Sequence, residues 1–183
     1  MSIQKRFRYD KGKRKKYAIN VFLPPYLIMV FIGCPAVLIY FKETDVLEIL
    51  NMYLYLSLYV LVFFSLPGFI FWYNHYSFAK DVELVTDGES FTLHSQNEKI
   101  VFLKDDIEYI DVFLSPVLYD KRINFVYWGN YSYMTLSLKS GQKLFISCMT
   151  LDEPKIFSPL IAKRHKKQFP LLRKKVGLAA GNN

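Results

Sequence analysis

The segment DVELVTDGESFTLHS, residues 81–95, says most about the fold of this chain. Apolar and polar residues alternate on both sides of Asp87-Gly88, a pair typical of tight turns between antiparallel strands. We therefore predict a β-hairpin with strands over Val82–Thr86 and Ser90–His94.

Strand-like segments continue after this hairpin. KIVFLKDDIEYIDV (residues 99–112) predicts two strands around an acidic turn, and MTLSLKSGQKLFI (residues 134–146) predicts two more around Ser140-Gly141. The sequence thus predicts six or seven antiparallel strands in a curved sheet or open barrel. Beyond the first hairpin, the predicted strands are 99–103, 107–114, 125–128, 133–138 and 143–149.

The segment from Leu151 to Gln168 predicts a C-terminal amphipathic helix that closes the barrel. Its apolar residues Ile156, Phe157, Leu160 and Ile161 recur at helical spacing. Asp152 and Pro159 both suit a helix start, and the sequence leaves that choice open.

Two long apolar segments lie upstream of the hairpin. Residues 18–41 and 49–79 contain no charged side chain, whereas about 20 apolar residues suffice to cross a bilayer as a helix. We predict a transmembrane hairpin over residues 18–77, with helices at about 18–41 and 51–76. A signal peptide is the alternative for the first segment, but the second apolar segment favours retention in the membrane.

Flanking charge predicts the orientation of this hairpin. Residues 1–17 form a basic segment, while the connecting loop contains Lys42 against Glu43, Asp45 and Glu48. The positive-inside rule therefore places both termini in the cytoplasm, as a multi-pass protein of the cytoplasmic membrane. Residues 78–168 form the predicted cytoplasmic domain, and residues 169–183 a basic tail predicted to be disordered.

The formal charge of +8 is concentrated at the two ends of the chain. Residues 80–155 contain more acidic than basic side chains, which argues against nucleic-acid binding by a basic sheet. The basic ends instead suggest contact with anionic lipid headgroups near the membrane surface. The candidate lipid-contacting residues are Lys13, Arg14, Lys15, Lys16, Lys163, Arg164, Lys166 and Lys167.

The hairpin and the two later phrases together resemble the bacterial pleckstrin-homology-like (PH-like) domain, including its YcxB-like members. That family often places such a domain behind a pair of transmembrane helices. The resemblance implies a PH-like fold, in which lipid-binding members use basic residues in the loop between the first two strands. Here that loop is predicted to be Thr86–Glu89, which contains two carboxylates, so we do not expect phosphoinositide recognition there.

No catalytic, metal-binding or cofactor-binding motif is recognised in the sequence. We therefore expect neither enzymatic activity nor a cofactor. Cys34 and Cys148 are predicted to be buried and reduced. His75, His94 and His165 are predicted to be surface or interface side chains.

A protein partner, or a second copy of the chain, is the predicted ligand of the cytoplasmic domain. Carboxylates around 105–111 and the aromatic residues after 125 supply a candidate surface. A bilayer-embedded accessory subunit of a transport complex remains an alternative, as does an immunity protein against a membrane-active toxin. The residues of the candidate partner surface are Asp105, Asp106, Asp111, Tyr127, Trp128 and Tyr131.

Overall fold

The structure is a computed structural model of the 183-residue chain. It describes residues 4–10, 12, 13, 15, 17, 19, 27, 29–33, 35, 39, 45–95, 98–122, 127–151, 154–157 and 162–172.

Two four-stranded sheets form the β domain. The first sheet has the order β1-β2-β3-β4 and is antiparallel throughout. The second has the order β7-β6-β5-β8, and β8 runs parallel to β5. The strands are β1 (Lys5–Arg8), β2 (Val82–Thr86), β3 (Ser90–Ser95), β4 (Glu98–Leu103), β5 (Ile107–Leu114), β6 (Ser132–Leu138), β7 (Lys143–Ser147) and β8 (Ala162–Lys166).

The predicted hairpin is confirmed, and its turn has a clear local cause. The Asp87 carboxylate accepts hydrogen bonds from the backbone N–H groups of Glu89 and Ser90, at 3.1 and 2.8 Å. Gly88 has φ +106°, a conformation that costs glycine little and other residues much more. Bonding to Ser90 holds the pKa of the Asp87 carboxyl below its usual value, so the turn keeps its charge at neutral pH.

The hydrophobic core lies between the two sheets and is lined by alternate residues of their strands. Leu84, Phe91 and Leu93 are fully buried from the first sheet, and Leu136 and Ile146 from the second. This period-two burial follows from strand geometry. The alternation in the sequence therefore identified the core face correctly.

The predicted C-terminal helix is wrong. Its start corresponds to a short 3₁₀ helix, Pro154–Phe157, from which Phe157 inserts into the core 4.9 Å from the Phe91 ring. Its later part is strand β8, on the edge of the second sheet. The apolar spacing reflected the burial of Ile156 and Phe157, and the basic residues that follow lie extended.

The predicted strands also need two corrections. The described residues of the predicted strand 125–128 begin a 3₁₀ helix, Tyr127–Asn130, and two basic segments that were not predicted as strands are extended. β1 lies in the segment predicted only as a basic N-terminus, where Phe7 packs against the core. β8 makes the second sheet mixed rather than antiparallel. In addition, the segment between the predicted strands 107–114 and 125–128 contains helix α2 (Pro116–Asp120), which Ser115 caps at its N-terminus.

The long helix α1 runs from Val46 to Ala79 and covers the predicted second span. It is α-helical over Val46–Val60, forms a π turn over Leu61–Ser65 and is α-helical again over Leu66–Ala79. The π turn directly precedes Pro67, whose ring and missing N–H disturb the regular ladder. Within the part of the chain that is described, α1 is the one helix long and apolar enough to cross a membrane.

Most of the predicted first span, residues 18–41, lies outside the described residues. The described segment Met29–Gly33 is a π-helical turn that packs on α1. A Cβ atom at Gly33 would lie 2.8 Å from Leu56 Cδ2, so any side chain at this position would require the end of the Leu56 side chain to shift. The two segments therefore approach each other closely at this point.

Candidate functional site at the helix-domain junction

The last turns of α1 are part of the β domain. Phe71, His75 and Ala79 are buried, each one helical turn from the next, so they form one face of the helix. This face packs on β7 and on the 3₁₀ helix Tyr127–Asn130. The junction is thus a continuous packed interface between helix and sheet.

His75 is the polar centre of this junction, and it is fully buried. Its Nε2 lies 2.9 Å from the backbone oxygen of Pro170, and its Nδ1 lies 2.9 Å from Ser147 Oγ. Because a carbonyl oxygen only accepts, Nε2 carries the hydrogen and Nδ1 accepts from the serine hydroxyl. Ser147 Oγ in turn accepts from the backbone N–H of Met149 at 3.2 Å. Of the predicted alternatives, surface or interface, the surface position is wrong and His75 lies in the interface between helix and sheet.

A second polar contact ties the C-terminal segment to the same helix. The Asn74 side-chain amide donates to the backbone oxygen of Leu172 at 3.0 Å, and its oxygen accepts from the N–H of Leu172 at 2.9 Å. Pro170 and Leu172 are buried. Residues 169–172 are therefore ordered against α1, which corrects the prediction of disorder there. Residues 173–183 lie outside the described part.

Tyr131 fills the aromatic interior of the junction, where its side chain is 1% exposed. Its ring lies 4.9 Å from His75, 5.5 Å from Tyr17 and 5.8 Å from Phe71. Burial raises the pKa of the Tyr131 hydroxyl, so it stays protonated. The assignment of Tyr131 to a partner surface is therefore wrong, since no partner can reach it without opening the junction.

The Ser147–His75 pair resembles a nucleophile beside a base, with Cys148 Sγ 3.8 Å from His75 Nδ1. All three side chains are buried, so a substrate has no access to them in this arrangement. The hydrogen bonds of this cluster link β7, α1 and the C-terminal segment.

The prediction that Cys148 is buried is confirmed, and Cys34 lies outside the described residues. No group of three or more His, Cys, Asp or Glu placed to hold a metal occurs among the described residues.

The candidate carboxylates of the partner surface have different local roles. Asp105 is exposed, whereas Asp106 Oδ2 accepts from the N–H of Leu103 at 2.7 Å and so shapes the β4–β5 turn. Asp111 Oδ1 lies 2.7 Å from His165 Nε2 on β8. The side chains of Tyr127 and Trp128 lie outside the described part. Among the described side chains of this surface, Asp105 alone is exposed.

The basic candidates of β8 are partly engaged inside the domain. Lys166 Nζ lies 2.7 Å from Asp120 Oδ2, and this bond lowers the pKa of the Asp120 carboxyl. Lys167 Nζ donates to Tyr133 Oη at 2.6 Å and lies over its ring. Lys163 and Arg164 are exposed and remain the clearest candidates for lipid contact on this strand.

The N-terminal basic candidates are described only in part. Lys13 Nζ donates to the backbone oxygen of Thr150 at 3.0 Å, so it contacts the β domain. Lys15 is exposed, and Arg14 and Lys16 lie outside the described residues.

An open groove of 1340 Å³ lies where β1 ends and β2 begins. One row of cross-strand neighbours lines it, formed by Arg8, Glu83, His94 and Lys99. The loop Thr86–Glu89 was predicted to join the first two strands of the domain. Because β1 precedes it, this loop joins the second and third strands of the sheet. The connection between the first and second strands is residues 9–81, which contain α1.

Comparison with known protein families gives a match. A family model for the PH domain matches residues 6–158, most of the chain. No curated protein and no solved structure matches the sequence.

Proposed function

This chain belongs to the PH domain family, and we propose that it is a non-enzymatic membrane protein that presents its PH domain for protein-protein interaction or self-association. In this proposal α1 and the preceding helical segment form a hairpin in a bacterial cytoplasmic membrane. The β domain then lies on the cytoplasmic side, together with both chain termini.

The observation that carries the proposal is a change of surroundings along α1. From Val46 to Ile70, many large apolar side chains are exposed, by 41% to 78%. Such a surface is unfavourable in water and favourable in lipid. At about 1.5 Å per residue these 25 residues extend roughly 37 Å, enough to cross a hydrocarbon core of about 30 Å.

The junction supports a fixed placement of the domain at the membrane. α1 enters the β domain without an intervening linker, and His75 and Asn74 are bonded to other parts of the chain. Lys80, which lines the groove, directly follows the last residue of α1, so the groove lies at the end of the helix opposite its exposed half. A partner that binds the domain would therefore be held close to the membrane, in a defined orientation.

Asp105 and Glu108 are the acidic side chains best placed to contact a basic protein partner. Both are exposed, at the turn into β5 and at the start of that strand. Reversing their charge should leave the fold intact, unlike a change at Asp106 or Asp111, which make bonds within the domain.

Crosslinking in native membranes followed by mass spectrometry tests this function. We would compare the full chain with Asp105→Lys/Glu108→Lys and with a control, Glu89→Lys, at an exposed turn elsewhere. Capture of a partner by the wild type, its loss in the double variant and its retention in the control are expected. Capture that persists in both variants would assign binding to the helices, as for an accessory subunit of a transport complex.

A further inference from the structure

The edge strands of the two sheets differ in how well they are protected. β1 (KRFR) and β8 (AKRHK) carry basic side chains along their length, and β7 is a five-residue strand that begins with Lys143. Charges and short length are the usual means by which edge strands avoid pairing with another chain. β4 (EKIVFL) instead contains four consecutive apolar residues.

The apolar residues of β4 are exposed on the outer face of the first sheet. Val101 is 60% exposed and Leu103 is 53% exposed, while Phe102 between them is buried in the core. Among the described strands, β4 is paired only with β3. The Leu103 N–H is bonded to the Asp106 carboxylate, so the rest of the outer backbone edge of β4 and two large apolar side chains are available for pairing.

We propose that β4 pairs in antiparallel fashion with β4 of a second copy of this chain, which extends the first sheet across a two-fold axis. This inference rests on the proposed function and selects self-association within it. A two-fold interface requires a self-complementary surface. The sequence of β4 meets this requirement in one register.

That register is centred on Val101. Residues on the same face must meet in an antiparallel pair, so a slip of one residue would set the outer face against the core face. With Val101 opposite itself, Glu98 of each copy faces Lys104 of the other, which gives two opposite-charge pairs. A shift of two residues in one direction removes these pairs. A shift in the other direction sets Glu98 opposite Asp106 and Lys99 opposite Asp105, so that repulsive and attractive pairs offset each other.

Cysteine crosslinking of the full-length chain in native membranes tests the pairing. Cα atoms of directly opposed residues in an antiparallel pair lie about 4.5 to 5.5 Å apart, within the range of about 4.4 to 6.8 Å that a disulfide spans. Val101→Cys should give a disulfide-linked dimer. The matched control is Thr92→Cys, which lies beside Val101 on the same face but one strand further from the edge, and it should stay monomeric. Cys148 is buried and should not contribute.

Co-expression of two variants tests the register. Lys99→Cys and Leu103→Cys should crosslink at least several-fold more efficiently together than either does alone, because residue 99 of one copy faces residue 103 of the other. Glu98→Lys and Lys104→Glu should each weaken the Val101→Cys dimer, and the double exchange should restore it.

Three results would overturn the inference. Val101→Cys could crosslink no better than Thr92→Cys, it could crosslink to a protein of another mass, or the charge exchange could fail to restore dimers. Retained partner capture in the membrane experiment above would leave the proposed function standing in each case. Loss of both dimers and partner capture would overturn the function as well.

Discussion

The exposed and the buried parts of helix α1 are both rich in apolar and aromatic residues, but their surroundings differ. From Val46 to Ile70 the helix exposes apolar side chains, whereas Phe71, His75 and Ala79 are buried against the second sheet. Aromatic residues occur in both halves. Composition therefore does not distinguish the half that faces lipid in our proposal from the half that belongs to the domain.

This difference shows that the exposed part of an apolar helix can end before the apolar sequence ends. The final turns of α1 supply core residues and two polar contacts to the β domain. Substitutions in the exposed and the buried parts of α1 should therefore differ in their effect on the stability of the β domain.

Phe71→Ala should have the largest effect on stability. Phe71 is 4% exposed and packs against Tyr131, so its truncation should lower the free energy of unfolding of the β domain by about 3–5 kcal/mol. Denaturant unfolding of the full chain in detergent measures this loss. Phe63→Ala is the matched control in the exposed half and should leave domain stability within about 0.5 kcal/mol. Equal losses would contradict the division of the helix.

His75→Leu should destabilise the junction through unsatisfied polar groups. It leaves the Ser147 hydroxyl and the Pro170 oxygen without their buried partner, at a cost of about 1–3 kcal/mol for each group. Hydrogen exchange should show faster exchange at Leu172 and in β7. His94→Leu, at a half-buried position on β3, should change neither region. Unchanged protection in His75→Leu would show that the junction does not depend on these bonds.

Gly33→Leu should loosen the contact between the two apolar segments. Its side chain must displace Leu56, and overpacking of this kind costs about 1–3 kcal/mol. Thermal unfolding in detergent should register a lower midpoint, with a smaller shift for Gly33→Ala because the end of the Leu56 side chain can move. An unaltered midpoint for Gly33→Leu would contradict close packing at this point.

Acidification should produce the smallest effect, at the β8 edge. The pKa of Asp120 is lowered by its bond from Lys166, so the pair stabilises the folded chain above the ordinary carboxyl pKa near 3.8. Its contribution is lost as the pH falls through the lowered pKa. Protection factors for the amide of Lys167, which bonds Leu114, should therefore decrease at low pH. Asp120→Asn should abolish that dependence, and a dependence that persists there would assign it to another group.

The sequence predicted those elements whose pattern has a local cause. Alternation and Asp87-Gly88 located β2 and β3, and the same reasoning located β4 to β7. β1 and β8 were missed because their basic residues indicate solvent exposure, and pairing with β2 and β5 makes them strands. Tertiary pairing of this kind has no signal within the segment itself.

The junction could not be predicted for a related reason. Its contacts join residues about 70 to 100 positions apart, such as His75 with Ser147 and Asn74 with Leu172. A single histidine or asparagine near the end of an apolar segment gives no indication of such partners. Tyr131 was likewise assigned to the surface because strand alternation does not extend to the segment that precedes β6.

Cysteine accessibility in intact membranes would test the division of α1 most directly. In a background without Cys34 and Cys148, single variants Leu58→Cys and Glu89→Cys would be treated with a membrane-impermeant maleimide. Both side chains are exposed in the structure. We expect Glu89→Cys to react once the cytoplasmic face is accessible, whereas Leu58→Cys should react only after detergent removes the lipid. Equal reaction of the two cysteines in intact, cytoplasm-accessible membranes would contradict it.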